Sequence, residues 1–297
     1  ASHPTLVALL EGEATLAYES GRHEAALERL RRARALAERR EMIDALARIT
    51  ELQARIAVQR RQPEARALAD EAETRARAAY GAEHPRASFA KIRAWYLRDV
   101  ASEQDRATLA TLAASAPELW PWALNNYANA LLLADRPREV VELLAWARAL
   151  EGAPAITGTV GQGLELLELA AMIDAGMIDD AARRLDELAR TLEPEASIMQ
   201  RVDFASYRGR IAAARGDWPA AVTHDRDALE LYDRMTAEDS LPARLRVSVD
   251  LARALLATGE RDAAASRLSA ALASYRALGQ GFAPEIAEVE RMLSTGG

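Results

Sequence analysis

One short phrase returns along this chain at intervals of 33 to 43 residues, and such a chain has few folds open to it. It reads Ser20-Gly21-Arg22-His23-Glu24-Ala25-Ala26 and comes back around Gly176, Gly216 and Gly259. Asp135-Arg136-Pro137 is the same turn without glycine, and Arg60 and Ser102 begin weaker copies. Each phrase lies between two stretches of helix-forming residues. Glycine ends the first helix by accepting a left-handed backbone, and Asp, Glu or Pro opens the second. Counted from the turn, small residues recur at fixed offsets. Ala26, Ala181, Ala221 and Ala264 stand five after it, and Ala33, Ala147, Ala228 and Ala271 twelve after it. Ala14, Ala128, Gly209 and Ala252 stand seven before it. Larger side chains there would hold two crossing helices apart.

The pattern predicts an all-α chain: an α-solenoid of about seven helical hairpins with a C-terminal amphipathic helix over roughly 284–293. That helix would cover the last hairpin's apolar face. Four hairpins are expected in residues 1–151 and three plus the cap in 164–297. Between them Gly152 to Gly163 reads as a glycine-rich connection, either a kink or a mobile link. Composition agrees with thin, closely approached helices, since half the residues are hydrophobic but only 5% are aromatic.

Other classes are disfavoured by what the chain carries. The absence of cysteine rules out disulfides, thiolate nucleophiles and cysteine metal sites. A net charge of −7, with acids and arginines alternating along helices, argues against nucleic acid as a partner. No apolar run approaches the roughly 20 residues of a membrane span. No basic-then-apolar leader is apparent, so a cytoplasmic location is expected. Lys91 is the single lysine among 38 basic residues, which suggests GC-rich, bacterial coding. The opening Ala1-Ser2-His3, without methionine, suggests a segment of a longer protein.

The offsets resemble the tetratricopeptide repeat. The longer period resembles that of the kinesin-light-chain variety, common in bacterial arrays attached to serine/threonine kinases or other effectors. Tyr80-Gly81-Ala82-Glu83-His84-Pro85 is similar to that variety's Leu-Gly-x-x-His-Pro link, and Leu124-Asn125-Asn126-Tyr127-Ala128 to its Leu-Asn-Asn-Leu-Ala helix. The second and third hairpins depart from it by lacking the turn glycine. The resemblance implies a right-handed solenoid whose first helices line a concave face, with the residues six and ten before each turn pointing into it.

On that basis the expected peptide-binding residues are Tyr96, Trp122, Asn125, Asn129, Arg210, Arg246 and Arg253. The asparagines would hydrogen-bond an extended backbone, the arginines would hold acidic side chains or a C-terminal carboxylate, and the aromatics would anchor. Some have a plainer reading. Asn125 and Asn126 would instead satisfy backbone groups in neighbouring helices, and Arg210 and Arg253 would pair with acids such as Asp203 and Asp250. The expected function is a protein–protein interaction scaffold. A ligand- or signal-peptide-responsive regulatory domain and a self-associating array are the alternatives.

No catalytic residue, metal site or cofactor is expected. His3, His23, His84 and His224 have no second histidine three or four residues away. Gly158-Thr159-Val160-Gly161-Gln162-Gly163 lacks the lysine of a P-loop and the preceding strand of a dinucleotide fingerprint.

Overall fold

The computed structural model describes residues 4–20, 22–94, 103–192, 195–235 and 241–296. Among them there are fifteen α-helices and no strand. The first eight are α1 (Pro4–Glu19), α2 (His23–Glu38), α3 (Ile43–Gln59), α4 (Ala65–Tyr80), α5 (Pro85–Ala94), α6 (Glu103–Ser115), α7 (Trp120–Leu133) and α8 (Pro137–Ala149). The others are α9 (Gly158–Asp174), α10 (Ile178–Leu192), α11 (Ile198–Ala214), α12 (Trp218–Asp233), α13 (Leu241–Thr258), α14 (Arg261–Leu278) and α15 (Ala283–Gly296). In chain order these supply the fourteen helices of the seven expected hairpins and the final helix. Helices pack on their chain neighbours, α1 on α2, α3 on α4, α11 on α12 and α14 on α15, which is the order of an α-solenoid. The chain divides into two compact units, residues 1–171 and 172–297.

The turns carry the chemistry the sequence phrase implied. Gly176, Gly216 and Gly259 take φ of 76°, 77° and 87°, the left-handed region that ends a helix. Asp217 then caps α12 by accepting from the backbone N–H of Ala220 at 3.2 Å, and Ser197 and Gln200 form a reciprocal capping box on α11. In two turns without glycine the left-handed residue is Arg61 (φ 50°) or Asp135 (φ 57°). The second turn is thus centred on Arg61, one residue beyond the Arg60 that the offsets suggest. The third, at Ser102, lies outside the described residues.

The small-residue offsets mark the crossings. Ala14, Ala26 and Ala33 are fully buried in the first hairpin, and Ala221, Ala228, Ala252 and Ala264 in the second unit. Larger side chains fill the layers between crossings. Trp120, Leu124, Tyr127 and Leu143 centre one cluster, and Leu245, Leu251, Leu268 and Tyr275 belong to another.

The mobile-link reading of 152–163 is corrected in its second half. Residues 158–163 form the first turns of α9. Gly161 permits this by letting the Ile156 carbonyl come close, since a β-carbon there would lie 2.9 Å from that oxygen. The glycine serves a tight helix entry.

Candidate functional site

Three of the expected binding residues meet in the N-terminal unit. Trp122, Asn125 and Asn129 share one face of α7 and line a cavity of about 350 Å³. Its opposite wall is Tyr18 of α1 with Glu51 and Arg55 of α3. The space exists because the residues between are small: Ala54, Ala69, Ala72 and Ala90 supply methyl groups where larger side chains would close it. Trp122 is 46% exposed, a large apolar surface left facing water. The Asn129 amide nitrogen donates to the Asn125 backbone carbonyl at 2.8 Å, which fixes its rotamer. The Asn129 amide oxygen is thereby oriented as an acceptor.

Arg55 was not among the expected residues. Its guanidinium lies 4.6 Å from the centroid of the Tyr18 ring, a cation–π contact that positions it without neutralising it. Among the described residues no carboxylate pairs with it, unlike the arginines around it. Arg48, on the same helix, holds Glu11 at 2.8 and 3.2 Å and Asp44 at 3.0 Å. Those contacts raise its pKa further above the ordinary arginine value, with the hydrogen bonds to Glu11 as the largest cause. A second cavity, about 310 Å³, adjoins the first through Glu51 and Arg55 and reaches Arg86 and Phe89 of α5. Arg86 is held against Tyr80 in the same way, 5.4 Å from its ring centroid. The sequence signal for Arg55 was available but weak: it is one arginine among many, and its freedom depends on which acids its neighbours capture.

The expected arginines lie in the C-terminal unit, and two of the three are otherwise engaged. Arg210 pairs with Asp174, not with Asp203, and Arg253 pairs with Asp250 at 2.7 Å and Glu288 at 2.5 Å. Arg246 is exposed on α13. Tyr96 lies outside the described residues. Several positions ten before a turn are also closed to a partner, since Thr50, Ile92, Leu166 and Val249 are buried.

The arginines instead join successive hairpins. Arg48–Glu11, Arg34–Glu71, Arg60–Glu24, Arg210–Asp174, Arg215–Asp179, Arg226–Glu260 and Arg253–Glu288 each span 34 to 37 residues, about one repeat.

Two histidines, His23 and His84, take packing roles. His23 is buried and stacks on Tyr18 at 5.5 Å; His84 stacks on Tyr80 at 5.2 Å and accepts from the Arg86 backbone N–H at 3.2 Å. Among the described residues no group of three or more His, Asp or Glu is gathered as a metal site.

Two carboxyls in the C-terminal unit stand out electrostatically. Burial pushes Asp203 up to about 6. Burial, then the charge of Asp250, pushes Asp225 up to about 8, against the opposing pull of Arg253 and Arg210. In the sequence Asp203 was named only as a partner for Arg210, and Asp225 was not singled out. Compared with known protein families and with curated proteins, the sequence matches none.

Proposed function

We propose that this chain is a tetratricopeptide-like interaction module, a right-handed solenoid that holds an extended peptide segment of a protein partner. The site is the α1–α3–α7 surface of the N-terminal unit, and the observation that carries the reading is the convergence there of Trp122, Asn125, Asn129 and the acid-free Arg55. Trp122 offers the apolar anchor, and Asn129 meets the peptide backbone. Arg55 meets a carboxylate, from an acidic side chain or a chain terminus, in bidentate fashion. Arg210 and Arg253 are not assigned to it, because their internal partners would have to be displaced first. The resemblance supports a regulatory part of a larger bacterial, cytoplasmic protein, acting by binding rather than by chemistry.

A second reading is favoured by the cavity itself. About 350 Å³ lies within the range of small-ligand sites, so a ligand-responsive domain would use the same walls.

The test is selection from a random peptide display library on the whole chain. Titration of the enriched peptides against wild type, Asn125→Ala/Asn129→Ala, Trp122→Ala and Arg55→Ala follows. Weakening of about tenfold or more in each variant, greatest for acidic peptides with Arg55→Ala, supports the reading. Peptides that bind all variants equally, or no enrichment at all, would remove it. A small molecule that protects the chain thermally, but not Trp122→Ala, would instead favour the ligand-responsive reading.

A further inference from the structure

Nine residues after the turn, four hairpins place a buried leucine: Leu30, Leu144, Leu185 and Leu268, none more than 3% exposed. The hairpin of α11 and α12 places Asp225 there, and it is just as inaccessible, at 2%. Its Oδ1 has no hydrogen-bond partner. Across the helix crossing, where three other hairpins have Ala14, Ala128 and Ala252, this one has Gly209. A β-carbon on Gly209 would lie 2.2 Å from that Oδ1. The two departures therefore fit each other: the lost methyl is the space the carboxyl occupies. A buried carboxyl without a partner costs stability where leucine would add it, and the matching glycine accommodates that cost at one crossing only.

We infer that the α11–α12 crossing is a proton-operated joint, closed while the Asp225 carboxyl is protonated and loosened when it ionises. The neutral acid fits an uncharged, water-poor crossing; the carboxylate does not. The charged groups facing it come from both helices packed against α12. From α11 comes Arg210, held by Asp174, and from α13 come Asp250 and Arg253, the latter shared between Asp250 and Glu288. Neither guanidinium is spare, and Asp250 adds a like charge. A further group, Asp203 and Tyr207 of α11 with Tyr232 of α12, bears on the same hairpin: burial raises both tyrosines, and the charge of Asp203 raises them further.

The direction of the response follows from proton counting. Burial pushes this carboxyl up to about 8, above the ordinary carboxylate of an unfolded chain. The closed form therefore holds the extra proton, and its stability falls as pH rises from about 4 to 8.

The experiment is carried out on the whole chain as wild type, Asp225→Asn and Gly209→Ala/Asp225→Leu, the last restoring the pairing of the other hairpins. Carboxyl-carbon NMR titration reads the Asp225 proton directly. Amide hydrogen exchange reads α11 and α12 between pH 6 and 9, after correction for intrinsic exchange. The expected result is a carboxyl that titrates well above pH 6, with exchange in these helices accelerating about tenfold or more in wild type only. Should Asp225→Asn fail to fold, the double variant supplies the comparison. An Asp225 carboxyl titrating near pH 4, or equal acceleration in the variant that folds, overturns the joint.

Discussion

Arg253 on α13 holds Asp250 of its own helix at 2.7 Å and Glu288 of the terminal helix α15 at 2.5 Å. One guanidinium thus fastens the cap to the hairpin it covers, while Val289, buried beside it, supplies the apolar contact. Both ends of the Arg253–Glu288 pair remain about 40% exposed, so the link is a screened surface interaction. Replacing Arg253 with Ala is expected to cost roughly 0.5 kcal/mol and to speed amide exchange in residues 283–296 at low salt. In high salt the difference from wild type should shrink. Unchanged exchange at low salt would show that apolar packing alone retains the cap.

A more costly pair joins α8 to α9. Glu168 is 6% exposed and receives Arg148 at 2.7 and 2.5 Å through both oxygens. Arg148→Ala leaves that carboxylate buried and unpaired, and the expected loss is about 2–3 kcal/mol, reduced because the guanidinium is itself half-exposed. Arg148→Ala/Glu168→Leu should recover most of it. Chemical denaturation of the three proteins checks the order.

Arg61 holds a left-handed backbone that a side chain resists. Arg61→Gly is expected to stabilise the second hairpin by about 0.5–1 kcal/mol, despite the greater freedom glycine has when unfolded. Gly216→Ala, at φ 77°, should destabilise by about 1 kcal/mol. Thermal unfolding of both variants would reveal opposite shifts in Tm, and shifts of the same sign would contradict the argument.

Asp203 supplies a pH-dependent term of its own. Burial raises it to about 6, so the folded chain binds its proton more tightly than the unfolded chain does. Stability from this group is full below about pH 4 and is lost as pH rises through about 6. Asp203→Asn is therefore expected to match wild type at pH 4 and exceed it by roughly 2 kcal/mol at pH 7.5. Denaturation midpoints of the two proteins across that range provide the check. A difference that does not change with pH would assign the effect to packing.

Much of the architecture is legible in the sequence, because a repeat writes the same steric demand several times. Ala14, Ala26 and Ala33 gain meaning only when Ala252, Ala264 and Ala271 stand at the same offsets. The turn at Gly216 was legible for a local reason: Asp217 and Pro219 act within four residues of it. The glycines from Gly158 to Gly163 misled for the complementary reason. Glycine usually loosens a chain, and only the approach of the Ile156 carbonyl to Gly161 shows it being used to tighten one.

The candidate site was legible in part. Asn125, Asn129 and Trp122 share a helix, so their common face follows from helical spacing alone. Arg55 and Tyr18 lie on other helices, and their meeting depends on how α1 and α3 pack. Periodicity likewise could not show that Arg210 and Arg253 are engaged, since an arginine's partner lies about one repeat away among several acids of similar register.

By itself, then, the sequence determined that helices form, where they turn and which small residues meet at the crossings, because those are short-range properties of backbone and side-chain volume. Tertiary structure decided which charges are neutralised, which cavity stays open beside Trp122, and that Asp225 is sealed against Gly209. These depend on the three-dimensional arrangement of neighbours, and the energy of burying a charge is set by everything around it.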